Sequence, residues 1–208
     1  MTDKKPGLDT AYDLKTPEDS ARLYRDWAET YDSDFAARMD YQMPVRVATA
    51  FAAKGKGPVL DIGAGTGLVA VELSKLGVGP IDGIDISDEM LTVAATKGVY
   101  RRTIAADLTK PLPMASGSYD GFVSSGTFTH GHVGPVALDE LLRIAAPGAF
   151  FALSVHSAVY DGAGFGKKFA QLEKQINELT IEAVPIYGAA ATGDHRDDKA
   201  LIVSFWRV

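Results

Sequence analysis

The chain of 208 residues contains no cysteine, so disulfides, thiolate nucleophiles and thiolate metal sites are excluded. No apolar run comes near the ~20 residues that a membrane-spanning helix needs. Positive charge is not in excess: 21 Lys and Arg stand against 27 Asp and Glu, a net charge of −6. A field of that sign argues against duplex nucleic acid as the main partner. The N-terminal M-T-D-K-K-P-G is polar and lacks an apolar signal core, so the expectation is a cytoplasmic protein with no membrane segment. No internal repeat or low-complexity tract interrupts the chain. The hydrophobic share of 46% and the length suit one sizeable α/β domain.

Against these absences stands one glycine-rich stretch, P-V-L-D-I-G-A-G-T-G-L-V-A-V-E-L, from Pro58 to Leu73. Val59 and Leu60 begin a short apolar strand. Gly63, Gly65 and Gly67 make a tight turn, and Leu68, Val69, Val71 and Leu73 resume as a helix. Strand, glycine turn and helix open a nucleotide-binding unit whose unpaired N–H groups face the ligand. The third glycine comes one residue earlier than in the dinucleotide fingerprint G-x-G-x-x-G, and Leu68 takes its place. Asp61, two residues before the first glycine, would repel a pyrophosphate. It suits a ligand with a positive amino group and no phosphate, as S-adenosylmethionine is.

Thr16-Pro17-Glu18-Asp19 is a helix start, and the helix is expected to reach about Thr30. Its stripe of Leu23, Tyr24, Trp27 and Tyr31 packs on the main domain or forms a lid, with Trp27 and Tyr31 over the crevice. A second helical segment is expected over 34–53, divided at Pro44. Residues 1–15 read as a loose tail.

The second strand, Ile81 to Ser87, carries Asp85 at its end, 18 residues after Gly67. That is where an acid accepts from both ribose hydroxyls. Ser87 caps the next helix, and its Met90 covers an adenine face or belongs to the core. Tyr100 to Ala106 is an edge strand. Asp107 after it reads an adenine amino group beside the Leu108 amide, or is a turn-forming Asx residue.

Tyr119 to Ser125 is the fourth strand and Ala149 to Val155 the fifth. Ligands in open α/β sheets lie beyond the strand ends at the switch point, so Ser124 to His132 should line the site. That segment holds His130 and His132, either of which could move a proton near neutral pH or simply be solvated. The H-x-H spacing lacks a third ligand, so no metal is expected. Phe169, Leu172, Ile176 and Leu179 suggest a helix, and 160–166, with three glycines, a flexible loop. Two last strands follow, over 181–187 and 201–208. The result is an α/β, Rossmann-like, seven-stranded, mostly parallel sheet with helices on both faces and an N-terminal helical lid. One domain over 1–208 is expected, with a helical cover at 1–53 and a core at 58–208.

In order and spacing these pieces resemble the class I S-adenosylmethionine-dependent methyltransferases. They are D-I-G-A-G-T-G (61–67), I-D-I-S-D-E-M-L (84–91), A-D-L-T-K-P-L-P (106–113), Y-D-G-F-V-S-S (119–125) and I-A-A-P-G-A-F-F (144–151). Within that class, Y-R-D-W-A-E-T-Y-D (24–32), G-T-G-L-V-A-V-E-L (65–73) and G-T-F-T-H-G-H-V-G-P (126–135) look most like the Williams–Beuren syndrome region methyltransferase-like proteins. The resemblance implies that Asp61 and the 63–67 backbone, with Ala64, hold the methionine end. It also implies that Asp85 takes the ribose, Ile86 packs on the adenine, and Asp107 with Leu108 reads its edge. Backbone around Ser124–Gly126 would hold the amino group, and Trp27 and Tyr31 would belong to the cover. The family's P-G-G is Pro147-Gly148-Ala149 here, a departure confined to a turn. The N/D-P-P-Y motif of amino-methylating nucleic-acid enzymes is absent at the end of strand four.

The expected reaction is transfer of a methyl group from S-adenosylmethionine to a small-molecule acceptor by in-line displacement, leaving S-adenosylhomocysteine. Alignment of the reactants is the main source of rate. A base, where one is used, is His130 or His132, with Tyr31 the outsider. A monomer or weak homodimer is expected. The alternatives are a non-catalytic S-adenosylmethionine-binding or scaffold protein on the same fold, and a nicotinamide oxidoreductase, against which Gly67 and Asp61 argue.

Overall fold

The computed structural model describes residues 6–14 and 16–208. Seven strands are found among them: β1 (Val59–Ile62), β2 (Ile81–Asp85), β3 (Arg102–Ala105), β4 (Tyr119–Phe128), β5 (Ala145–His156), β6 (Ile176–Pro185) and β7 (Lys199–Arg207). They form one sheet in the order β3-β2-β1-β4-β5-β7-β6. The first five are parallel, and β7 is antiparallel to both β5 and β6. The order reverses between β1 and β4, so a crevice opens beyond their carboxyl ends.

Side-chain alternation sends the sheet's two faces into two cores. Leu60 and Ile62 of β1 join one core with Leu138, Leu141 and Leu142 of α6 (Ala137–Ile144) and Phe165 and Phe169 of α8 (Phe165–Gln171). Val59 joins the other, with Val47 and Phe51 of α3 (Met43–Ala52) and Val69 and Leu73 of α4 (Leu68–Lys75). Phe151 stacks between Phe122 and Phe205, at centroid distances of 4.3 and 4.5 Å. Edge strand β3 is held from below by Asp82 of β2, which is fully buried. Its carboxylate accepts from Arg101, Arg102 and Tyr119 at 2.7–2.8 Å.

The N-terminal elements lie across the crevice end. They are α1 (Leu8–Tyr12), α2 (Pro17–Trp27), a π-helix (Tyr31–Ala37) and α3. Thr16 Oγ1 caps α2 by accepting from the Asp19 amide. The π-helix is tied to the core through Asp32. One carboxylate oxygen accepts from Thr66 Oγ1 of the glycine turn at 2.5 Å, and the other from Lys97 at 2.6 Å. This cover is therefore anchored to the turn it overlies.

Several boundaries differ from the sequence expectation. The helix from Thr16 ends at Trp27, and the expected 34–53 segment is the π-helix followed by α3, with Pro44 in its first turn. Part of the expected loose tail is α1; residues 1–5 and 15 lie outside the described residues. The expected flexible loop at 160–166 borders α7 (Ser157–Tyr160) and α8. Ile176 and Leu179 belong to β6, where Ile176 pairs with Arg207 of β7 and Leu179 falls in the register shift between Asn177 and Thr180.

Candidate functional site

Two adjoining chambers occupy the crevice. The first encloses about 910 Å³ of empty space including its mouth, within the range of small-molecule sites. Its floor is the glycine turn. Gly63 has φ of +64°, and a Cβ there would meet Thr127 Oγ1 at 2.0 Å, so only glycine fits. Gly65 has φ of +51°, and a Cβ there would meet nothing within 4 Å, because it faces the open chamber. Ala64 and Leu68 complete this floor.

Asp85 stands at the end of β2 and lines the same chamber. Its Oδ2 accepts from the Gly65 amide at 2.8 Å and its Oδ1 from the Ser87 amide at 2.9 Å. Two backbone donors thus fix the carboxylate while each oxygen keeps further acceptor capacity. Burial pushes the carboxyl up, and the amide donors of Ser87, Gly65 and Ile86 oppose it. Ile86, buried Met90, Leu108 and Val133 form an apolar slot beside it. Asp107 lines the slot, but its Oδ1 accepts from the Thr109 amide and hydroxyl and its Oδ2 pairs with Lys110. The turn-forming alternative is the one its side chain adopts.

The second chamber, about 550 Å³, adjoins the first and shares Tyr24, Tyr31, Tyr41, Gly126 and His132 with it. His132 has a defined tautomer. Its Nδ1 faces the His130 carbonyl at 2.6 Å, and a carbonyl only accepts, so Nδ1 carries the proton. Its Nε2 keeps a lone pair and accepts from the Tyr24 hydroxyl at 3.0 Å. Burial pulls the imidazole below its ordinary range, which keeps it neutral.

Some residues expected at the site lie elsewhere. Asp61 sits behind the glycine turn, outside the wall of either chamber. Its Oδ2 accepts from Tyr100 at 2.7 Å, and its Oδ1 is buried without a partner. Gly67 is turned toward the Tyr100 ring and caps α4. Ser124 is buried with its hydroxyl on the Ile62 carbonyl, and Ser125 takes its place in the wall. The Gly126 amide, in the wall itself, already donates to Ser154 Oγ. Trp27 lines the second chamber, not the first. His130 lines neither; its ring lies 4.8 Å from Tyr12 and 4.7 Å from His156. Tyr31 lines both, but burial, then neighbouring Tyr41 and Tyr24, push its phenol far up, so it serves as a wall and not as a base. Among the described residues no cluster of three or more His, Cys, Asp or Glu could hold a metal ion.

Other site residues were not singled out from the sequence. Tyr24 belonged to a stripe read as packing on the main domain or as a lid, in which only Trp27 and Tyr31 were placed over the crevice. His156 sits one residue past the expected end of strand five, where the strand-end rule would have flagged it. Tyr12, Tyr41 and Tyr187 reach the chambers only through long-range contacts and leave no local signal.

Burial drives the Asp61 carboxyl up to about 7, against the Tyr100 hydrogen bond that lowers it. A raised acid binds its proton more tightly in the folded state, so stability falls as pH rises from about 4 in the unfolded chain toward 7. Asp61→Asn should flatten that slope, read as Tm against pH from 4 to 8. An unchanged slope would assign it to other groups, Asp85 first among them.

Comparisons with known proteins agree with this fold. Residues 60–153, from β1 to β5, match the methyltransferase domain family. Human methyltransferase-like protein 27 is 33% identical over 141 residues, covering 65% of this chain and 57% of that protein. The chain therefore spans little more than half the length of this curated relative. A Thermotoga maritima S-adenosylmethionine-dependent methyltransferase, described as a possible histamine N-methyltransferase, superposes with a TM-score of 0.63 at 16% identity, over 90% of this chain and 98% of that one. The [4+2]-cyclase SpnF superposes with a TM-score of 0.68, also at 16% identity, over 93% and 97%. These two likenesses concern the fold alone. In its matched domain and in its fold, the chain is similar to S-adenosylmethionine-dependent methyltransferases. The cofactor that the methyltransferase likeness implies, S-adenosylmethionine, fits the first chamber: an open glycine cradle, a strand-end carboxylate with acceptor capacity and an apolar slot stand together.

Proposed function

We propose that the protein methylates a small molecule, with S-adenosylmethionine in the first chamber and the acceptor in the second. The observation that carries this reading is the shared wall: Tyr24, Tyr31, Tyr41, Gly126 and His132 line both the chamber of Asp85 and Gly65 and the aromatic one. When bound, S-adenosylmethionine supplies a methyl group already activated on a sulfonium. The chain's own residues then bind, orient and move a proton. Asp85 would take the ribose hydroxyls, and Ile86, Met90 and Leu108 would enclose the adenine. The tie from Asp32 to Thr66 and Lys97 would keep the cover over the turn and water out.

The acceptor's proton would pass to the Tyr24 hydroxyl as that hydroxyl gives its own proton to His132 Nε2. No net charge then stays on the tyrosine, and the acceptor is left with the lone pair that attacks. No described helix is long and apolar enough to cross a membrane. A cytoplasmic protein, monomeric or weakly dimeric, goes with this reading.

The test is transfer of a radiolabelled methyl group from S-adenosylmethionine to a panel of hydroxyl- and amine-bearing aromatic compounds. Labelled product should form with matching S-adenosylhomocysteine. Cofactor binding without product above the blank across the panel would instead favour a non-catalytic binding protein. Binding itself is read by thermal shift: at about 100 times Kd, S-adenosylhomocysteine should stabilise the fold by about 2.7 kcal/mol.

A further inference from the structure

The far end of the second chamber carries a charge pattern that the transfer reaction itself does not require. Its side walls are aromatic. Trp27 lies 5.1 Å from Tyr31, and Tyr31 lies 5.0 Å from Phe35, centroid to centroid. Among the described residues, no Lys or Arg lines either chamber. A carboxylate stands directly behind the far wall. Tyr12 lines that wall, and its hydroxyl donates to Asp198 Oδ2 at 3.0 Å.

The hydrogen bonds there run in one direction. His156 Nδ1 accepts from the Ala158 amide, so in the neutral ring Nε2 carries the proton. That Nε2 stands 3.2 Å from the Tyr12 oxygen, which it can serve as donor. Burial, reinforced by neighbouring His130, lowers the His156 pKa and favours this neutral form. The series His156 to Tyr12 to Asp198 therefore ends on a negative charge. His195 does not reverse the sign, because it stands between two carboxylates, 3.1 Å from Asp198 and 3.4 Å from Asp9.

We propose that the second chamber selects a flat aromatic acceptor that is neutral or cationic, and rejects carboxylates and phosphates. An anion entering it would lose its hydration without gaining a cation and would face Asp198 across one hydrogen bond. A cation would instead meet ring faces, which attract positive charge. The selection rests on the reading of the paired chambers as cofactor and acceptor sites.

The test uses three catechols that differ in side-chain charge: dopamine, 4-methylcatechol and 3,4-dihydroxyphenylacetate. Each is titrated calorimetrically into the protein with and without saturating S-adenosylhomocysteine. The neutral or the cationic compound should bind at least about tenfold tighter than the anion, a difference of about 1.4 kcal/mol. Asp198→Asn should narrow that ratio. Thr129→Lys, which places a cation in the same wall, should raise the affinity of the anion and keeps the test open if the first variant does not fold. Equal or tighter binding of the anion by the wild-type protein would overturn the proposal. So would the absence of binding by all three to the S-adenosylhomocysteine-loaded protein. Failure of S-adenosylhomocysteine itself to bind is a separate result, which would overturn the cofactor reading.

Discussion

Asp85→Ala is expected to weaken S-adenosylhomocysteine binding by about a hundredfold or more while leaving the protein folded. A hydrogen bond to a charged group is worth about 1.5–3 kcal/mol, and two ribose hydroxyls would share this carboxylate. Their loss, about 3 kcal/mol at the low end, corresponds to about two orders of magnitude in affinity. A second effect acts in the same direction. The carboxylate accepts from the Gly65 and Ser87 amides, so alanine also frees the glycine turn from the strand end that positions it. Folding should survive, because the side chain lies at the mouth of the sheet and its burial already works against its charge. Calorimetric titration measures the affinity, and far-UV circular dichroism checks the fold. Affinity within about threefold of wild type, well short of the tenfold that 1.4 kcal/mol represents, would remove Asp85 from the site.

His132→Gln is expected to lower turnover by about 10²–10⁴-fold, the usual share of a positioned base. Affinity for S-adenosylhomocysteine should stay near wild type, because the ring stands where the chambers meet and not beside Asp85. Glutamine keeps a polar group of similar reach but cannot take up a proton, so the loss would be chemical and not steric. The pH profile adds a second readout. The imidazole is pulled below its ordinary range, so wild-type activity should be flat at neutral pH and fall only on the acid side. The variant should lose that acid limb. Tyr24→Phe should reproduce part of the fall, because it removes the hydroxyl that His132 Nε2 accepts from. Unchanged turnover in His132→Gln, on whichever acceptor the transfer assay identifies, would exclude this base.

The first chamber was largely legible in the sequence because its parts are local. Gly63, Gly65, Asp85 and Met90 sit at strand ends or in first helical turns, positions that apolar patterning and capping residues mark. Asp61 shows where such reading stops. Its spacing suggested a ligand, yet its partner is Tyr100, 39 residues away and visible only once β2 and β3 pair. The alternation that sends Leu60 and Ile62 into one core turns Asp61 the other way, behind the turn. Ser124 follows the same logic: its hydroxyl closes on the Ile62 carbonyl of the neighbouring strand.

The second chamber was mostly hidden because it joins the two ends of the chain. Tyr12 meets Asp198 across 186 residues, and Tyr41 bridges to Tyr187. No window of sequence contains both partners. The histidines show the difference in kind. Sequence favoured His130 and His132 equally, and a two-residue step places one in the wall and the other among Tyr12 and His156.

The fold does not decide the reaction, as the likeness to a cyclase illustrates. The most direct test of the central claim is therefore a calorimetric titration of the wild-type protein with S-adenosylhomocysteine, with NADH and Asp85→Ala in parallel. One saturable site for S-adenosylhomocysteine, none for NADH and a marked loss in Asp85→Ala is the predicted result. No saturable binding of S-adenosylhomocysteine, or binding of NADH in its place, would contradict it.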